Sequence, residues 1–230
     1  AMVAVFRRWH RLIGLSLVVC GVCGAALAWL RAGVPPDPRL LDSGDAVRDA
    51  VVRAFDQRVF AATDRQPPFG RTVRIAFTPS GHPVPAPMRQ LVEEIGQLTQ
   101  GRVTTGDSGI GEIAVVMGKS EDGLCQVRRE VWMGAAVRGV IVVEAEAEAE
   151  VGGEPAQRCF ADKLLAMLGL PRADGGAAAG LSPRERVLLR LLFSPEIAPG
   201  MRRGEVLSAV RRQVEAMPAE TLCPQSGGFC

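Results

Sequence analysis

The chain has 230 residues, of which 47% are hydrophobic, 23% charged and 5% aromatic, a composition that excludes a disordered protein and favours a folded domain. The formal net charge is +2, and the 27 basic residues are spread along the chain rather than clustered. A nearly balanced charge without a basic cluster argues against electrostatic binding to nucleic acid, so no nucleic-acid partner is predicted.

The N-terminal residues have the charge pattern of a segment that enters or crosses a membrane. Arginines precede an uncharged apolar run from Leu12 to Leu30, and charge resumes at Arg31. The run is long enough to cross a bilayer, which takes roughly 17–25 apolar residues. Ala26-Leu27-Ala28 also has the form of a signal peptidase site. We therefore expect residues 1–31 to be an uncleaved membrane anchor or a cleaved signal peptide.

Both alternatives place the rest of the chain outside the cytoplasm. Positive charge next to a membrane segment stays on the cytoplasmic side, and here the arginines precede the apolar run. In a bacterium, the body would lie in the periplasm, either tethered to the cytoplasmic membrane or released from it. Disulfides are allowed in that compartment. The membrane is therefore one predicted partner.

Residues 32–70 are interpreted as a Pro-rich linker followed by a helix. Apolar residues recur at helical spacing over 45–61, and this helix is either a stalk or the first helix of the domain. The domain itself is predicted over residues 71–217, and residues 218–230 are predicted to be a flexible tail that contains two cysteines.

The body alternates short strands with amphipathic helices. Predicted strands lie at 72–77, at 112–118 and within 127–143, and predicted helices lie at 87–99, 159–170, 182–193 and 204–217. Ser182, followed by Pro183 and Glu185, is a typical N-cap sequence for the third of these helices. The predicted class is α+β, with a small, mostly antiparallel or mixed sheet packed on helices.

The six cysteines suggest disulfides rather than a zinc site. No C-x-x-C pair has a second pair or a histidine partner at zinc-binding spacing. In an oxidising compartment, Cys125 and Cys159 are predicted to form a disulfide, with a reactive thiol at Cys159 as the alternative. Cys223 and Cys230 are also assigned to disulfide bonding, and whether they pair with each other is left open. The acidic run at 144–150 is interpreted as solvated rather than as a calcium site, since its alanines provide no turn for oxygen ligands.

Two ordered motifs carry a resemblance to a known family. They are C-x-x-x-x-L-x-x-x-L-G-L at 159–170 and L-S-P-R-E-R-V-L-L-R-L-L-F-S-P-E-I-A-P-G-M at 181–201. Together with the order of strands before them, they resemble a family of secreted or lipid-anchored bacterial proteins of unknown function that look like degenerate zincin metallopeptidases. The resemblance covers residues 71–217 and implies a zincin-like fold.

A working zincin carries H-E-x-x-H on a helix, in which two histidines bind zinc and the glutamate is the general base. A G-L turn commonly follows that helix. Placing Gly169-Leu170 on this turn puts the histidine positions at Asp162 and Ala166 and the glutamate position at Lys163. Ala166 cannot bind a metal and Lys163 would repel one. The resemblance therefore implies a relative without catalytic residues, metal or cofactor.

The function predicted from the sequence is a non-catalytic binding or scaffolding domain on the periplasmic side. It would be an accessory subunit with a protein partner in the cell envelope, or a module that binds peptides along its sheet edge. One alternative is a metallopeptidase-like hydrolase with atypical ligands, namely Asp162, Asp174 and Glu185. Another is a structural envelope protein whose arginines meet anionic lipid or form the solvated face of the last helix, namely Arg202, Arg203, Arg211 and Arg212.

Overall fold

The computed structural model describes residues 37–60, 72–78, 84–106, 112–118, 125–132, 135–144, 153–172, 179–198, 200–223 and 229. At 128–132, 135–138 and 144 it describes the backbone but not the side chains. The predicted membrane segment between Leu12 and Leu30 lies outside these residues, as do Asp174, Cys230 and most of the acidic run. Within the described ranges, no helix has the length and apolarity needed to cross a membrane.

The described chain forms five strands and six helices, which confirms the α+β class. The strands are β1 (Val73–Thr78), β2 (Val103–Gly106), β3 (Ile113–Gly118), β4 (Cys125–Trp132) and β5 (Ala135–Glu144). The helices are α1 (Ala46–Val59), α2 (Ala86–Leu98), α3 (Glu154–Met167), α4 (Pro183–Leu192), α5 (Arg203–Ala216) and α6 (Ala219–Leu222). The sequence did not predict β2, because four residues are too few to show an alternating pattern.

The strands form one mixed sheet in the order β2-β1-β3-β5-β4. Three of its four pairings are parallel, and only β4 and β5 are antiparallel. The prediction of a mixed sheet is confirmed, whereas the prediction of mostly antiparallel pairing is wrong. Strand direction depends on the connections, and α2 provides the crossover that parallel neighbours β1 and β2 require.

The core lies between the sheet and its helices. Ile75, Ile113 and Ile141 from three adjacent strands are fully buried, as are Phe160 and Leu164 of α3. Buried side chains recur two residues apart at Ile141 and Val143 of β5 and four residues apart at Phe160 and Leu164 of α3, which is the pattern that buries one face of each element. Helix α3 packs on β4 and β5, so the sheet positions the helix that carries the candidate site.

Helix α1 belongs to the folded unit, which extends from Asp37 to Cys230. Val51, Val52 and Phe55 of α1 are fully buried, and α1 packs on α5. Of the two roles that the sequence left open for this helix, the structure shows a helix within the domain. Within residues 218–230, which were predicted to be a flexible tail, Ala219–Leu222 form α6, and Leu222 is 1% exposed.

Candidate functional site

Helix α3 ends at the glycine turn on which the zincin assignment depends. Gly169 has a φ of +89°, a left-handed conformation that glycine adopts without strain. The Leu170 N–H donates to the Leu165 carbonyl at 2.8 Å, and the Gly169 N–H donates to the Ala166 carbonyl at 3.2 Å. These two bonds satisfy carbonyls that the helix end would otherwise leave free. The predicted G-L turn is therefore present as a helix C-cap.

The three positions aligned with H-E-x-x-H lie on the partly exposed side of α3. Asp162, Lys163 and Ala166 are each intermediate in exposure, whereas Phe160 and Leu164 on the opposite side are buried in the core. Asp162 and Ala166 are one turn apart and therefore share a face. The structure places these residues together, at the surface of the helix rather than in the core.

Arg172 joins Asp162 to Glu185. Its Nη1 lies 3.0 Å from Asp162 Oδ1, and its Nε lies 2.9 Å from Glu185 Oε1. The Arg172 side chain is 4% exposed and that of Glu185 is 6% exposed, so this second ion pair is shielded from water. The guanidinium, with donors arranged in a rigid fork, links α3 to the start of α4.

Glu185 is held from two further directions. Its carboxylate accepts the Ser182 N–H at 2.8 Å, and the Ser182 hydroxyl accepts the Glu185 N–H at 3.3 Å. This reciprocal capping box confirms the predicted N-cap. Arg58 of α1 adds a second cation, with Nη1 at 3.8 Å from Glu185 Oε1. The contacts of Glu185 therefore connect α1, the end of α3 and α4.

These contacts bear on the atypical metal ligands considered from the sequence. A cation bound to both Asp162 and Glu185 would have to displace the Arg172 guanidinium. In the part of the chain that the structure describes, no three His, Cys, Asp or Glu side chains lie close enough together to hold a metal ion. The third ligand considered, Asp174, is outside that part. No pattern in the sequence pointed to Arg172, because it is a single arginine after Pro171 with no motif around it.

A disulfide joins Cys125 at the start of β4 to Cys159 in α3, in agreement with the predicted pairing. Their Cα atoms are 6.0 Å apart, a separation at which disulfides form without backbone movement. Cys223 is also disulfide-bonded, and its partner lies outside the described residues. Whether Cys223 pairs with Cys230 therefore stays open, as it was from the sequence.

Helix α3 runs alongside β4, and two contacts fix its direction. Cys159 is bonded to Cys125, and eight residues later Met167 covers Gly139 of β5, where an added Cβ would overlap the Met167 methyl group. Cys125 pairs with Val143, and Arg129 pairs with Gly139. From Cys159 to Met167, α3 therefore runs in the same direction as β4 does from Cys125 to Arg129.

Strand β4 is an edge of the sheet. It has eight residues, and among the described strands none pairs with its outer side. Its ladder with β5 is regular from Cys125 to Glu130 and is interrupted by a bulge between Glu130 and Val131. The opposite edge, β2, has four residues. The sequence did not reveal which strand forms the edge, because the order of strands depends on long-range pairing.

The arginines proposed to meet lipid are divided between two roles. Arg211 is 6% exposed and its Nη2 lies 2.7 Å from Asp49 Oδ1, while Arg203 binds both carboxylate oxygens of Asp56 at 2.6 and 2.7 Å. These two arginines therefore hold α1 against α5. Assigning Arg211 to a solvated face is wrong because this residue is buried, whereas the Arg203 side chain is 33% exposed. Arg202 and Arg212 are exposed. The sequence of α5 could not reveal these ion pairs, because their carboxylates belong to α1, which is far from α5 in the sequence.

Comparison of the chain with protein-family models, with curated proteins and with solved structures finds no match. The resemblance to degenerate zincins therefore rests on the sequence motifs and stays a prediction.

Proposed function

We propose that this protein is a non-catalytic binding domain that takes up an extended segment of a partner protein along β4. The observation that carries the proposal is the outer edge of β4, eight residues long, with which none of the other described strands pairs. Such an edge presents backbone N–H and C=O groups, and an added strand can satisfy them. The shorter β2 edge offers half as many residues.

The structure of β4 suits a preformed binding edge. Its inner side pairs with β5 over its whole length, and its first residue is bonded covalently to α3. A rigid edge loses little conformational freedom when a segment binds, which favours affinity. The covalent tie and the long antiparallel ladder therefore support β4 as a docking strand.

A zincin-like fold is part of the proposal. Supporting it are the mixed sheet, the helix that follows β5, the glycine turn that ends this helix and the edge strand alongside it. In this arrangement the catalytic positions would lie on α3 beside the bound segment. Those positions hold Asp162, Lys163 and Ala166, so the proposed role is binding without hydrolysis.

The proposed location is the periplasmic side of the bacterial cytoplasmic membrane. The disulfide between Cys125 and Cys159 supports an oxidising compartment. The apolar run from Leu12 to Leu30 supports a tether or a secretion signal, as argued from the sequence. A domain held at this surface is suited to act as an accessory subunit for a protein of the cell envelope.

The test combines identification of the partner with mapping of its contact. The tagged full-length protein is crosslinked in its native membranes, and the copurified proteins are identified by mass spectrometry. Amide hydrogen exchange of the purified complex is then compared with that of the protein alone. We expect slower exchange across Cys125–Trp132, while Val103–Gly106 at the other edge remains unchanged as an internal control. A complex that protects other segments and leaves β4 unchanged contradicts edge binding, and purification without any companion contradicts the accessory role.

A further inference from the structure

Lys163 is a cation without a partner beside the proposed binding edge. The chain has only two lysines, Lys119 and Lys163. No residue of the described ranges forms a hydrogen bond or an ion pair with Lys163, and its side chain is partly exposed. The adjacent carboxylate, Asp162, is bound by Arg172. Lys163 is thus the position on α3 at which a negative charge from outside the domain would be stabilised.

Helical spacing places Lys163 next to the β4–β5 hairpin. Residues four apart lie on one row of a helix, and Cys159, Lys163 and Met167 form such a row. The first residue of the row is bonded to β4, and the last covers Gly139 of β5. Lys163 lies midway between these two contacts and is therefore in the row that faces the hairpin.

The side of this row towards β5 is closed. Ile141 and Val143 are fully buried, and Met167 seals the backbone at Gly139. The partly exposed side chain of Lys163 therefore extends away from β5, which leaves both the β4 edge and the solvent face of α3 within reach of its ammonium group. Lysine commonly packs its aliphatic stem along apolar surface while its charged end stays in water.

We propose that Lys163 recognises a carboxylate on the segment that pairs with β4, and that this carboxylate belongs to an Asp or Glu side chain within the segment. The inference rests on the proposed edge binding. A strand added to β4 would lie about 4.8 Å beyond it, and only every second side chain would face α3. The preference for an acid is therefore confined to one position of the segment. Strand β4 continues in both directions beyond the point that lies opposite Lys163. A bound segment would therefore also continue past Lys163, so the carboxylate that contacts this lysine belongs to a side chain and not to the end of the segment.

The test is a selection of random 12-residue peptides displayed on phage, carried out on the full-length protein in parallel with two variants. Wild type is expected to enrich Asp or Glu at one position. Lys163→Glu reverses the charge and is expected to enrich Lys or Arg at that same position. Arg190→Glu makes the same change of charge at an exposed site on α4 and is expected to retain the preference of wild type. A peptide selected on wild type should bind Lys163→Met roughly five-fold more weakly, as for a partly exposed ion pair.

The outcomes separate this inference from the proposed function. Peptides that slow the exchange of β4 amides but show the same residue preferences on wild type and Lys163→Glu overturn the role of Lys163 and leave edge binding intact. If an acidic residue is enriched only at the last position of the peptides, or if binding requires a free carboxyl terminus, the proposal that Lys163 recognises a side-chain carboxylate is overturned. If no selected peptide protects β4, both proposals are contradicted. A cooperative thermal transition close to that of wild type, followed by circular dichroism, shows that each variant is folded.

Discussion

The contact between Arg172 and Glu185 gives the sharpest prediction for a single residue. Replacing Arg172 with Met leaves the buried Glu185 carboxylate with Arg58, at 3.8 Å, as its remaining cation. Removing one partner of a buried ion pair leaves an uncompensated charge and typically costs about 3–5 kcal/mol. We therefore expect the free energy of unfolding, measured with urea, to fall by about this amount.

A matched control for Arg172→Met is Arg212→Met. Arg212 pairs with Glu196 at 3.0 Å, but the two side chains are 63% and 46% exposed. Water and salt screen such a pair, so the change should cost less than about 1 kcal/mol. Similar losses for the two variants would contradict the structural importance that we give to Arg172.

Asp49 is expected to make the free energy of unfolding depend on pH in the acidic range. Burial alone raises the pKa of Asp49, but hydrogen bonds from Ser43 and the charge of Arg211 outweigh it and hold the pKa below its ordinary value of 3.8. A carboxyl group with a lower pKa in the folded state stabilises the protein above its unfolded pKa, and this stabilisation is lost as the pH falls through the folded pKa.

Asp49→Asn tests this dependence. The substitution should lower the free energy of unfolding more at about pH 7 than at about pH 3, because at the lower pH the unfolded chain binds a proton at Asp49 and part of the stabilisation from the carboxylate paired with Arg211 is lost. Urea unfolding of both proteins at the two pH values provides the comparison. An equal loss of stability at both would contradict an ionised Asp49 in the folded state.

At the scale of elements, the packing of α3 on β5 depends on Gly139. A Cβ at this position would overlap the Met167 methyl group and lie 3.3 Å from its sulfur. Met167 is buried, but the overlapping methyl group is the end of a flexible side chain, so Gly139→Ala should destabilise the protein by about 1 kcal/mol, the low end of the cost of overpacking. Gly118→Ala in β3 is the control, since nothing lies within 4 Å of its added Cβ. Comparable unfolding midpoints for the two variants would rule out close packing at Gly139.

The elements also show what the sequence could and could not predict. Local signals were sufficient for the N-cap at Ser182 and the C-cap at Gly169, because caps depend on residues within one turn. The pairing of Cys125 with Cys159 followed from the compartment and the small number of candidates. Strand direction, the edge position of β4 and the contacts of Arg172 depend on residues far apart in the sequence, and no local pattern specifies them.

At the scale of the whole molecule, α1 and α5 form an antiparallel pair that closes the domain. Asp49 near the start of α1 meets Arg211 near the end of α5, and Asp56 near the end of α1 meets Arg203 at the start of α5. Arg211 also donates to the Leu40 carbonyl at 3.0 Å, which fixes the chain that leads into α1. The first helix is therefore joined to the last long helix by charge as well as by apolar contacts.

This closure predicts how the protein tolerates truncation. Deleting residues 1–70 removes four buried apolar side chains of α1, namely Val51, Val52, Phe55 and Val59. Each contributes about 1.5–3 kcal/mol by burial, and together they match the 5–15 kcal/mol of a typical domain. Arg211 would also lose its buried partner, Asp49. We expect this shortened protein to lack a cooperative thermal transition by circular dichroism.

Deleting residues 1–36, which stops before the compact unit at Asp37, should preserve the transition. If the protein that lacks residues 1–70 unfolds cooperatively at the same temperature as the protein that lacks residues 1–36, α1 is not required for the fold.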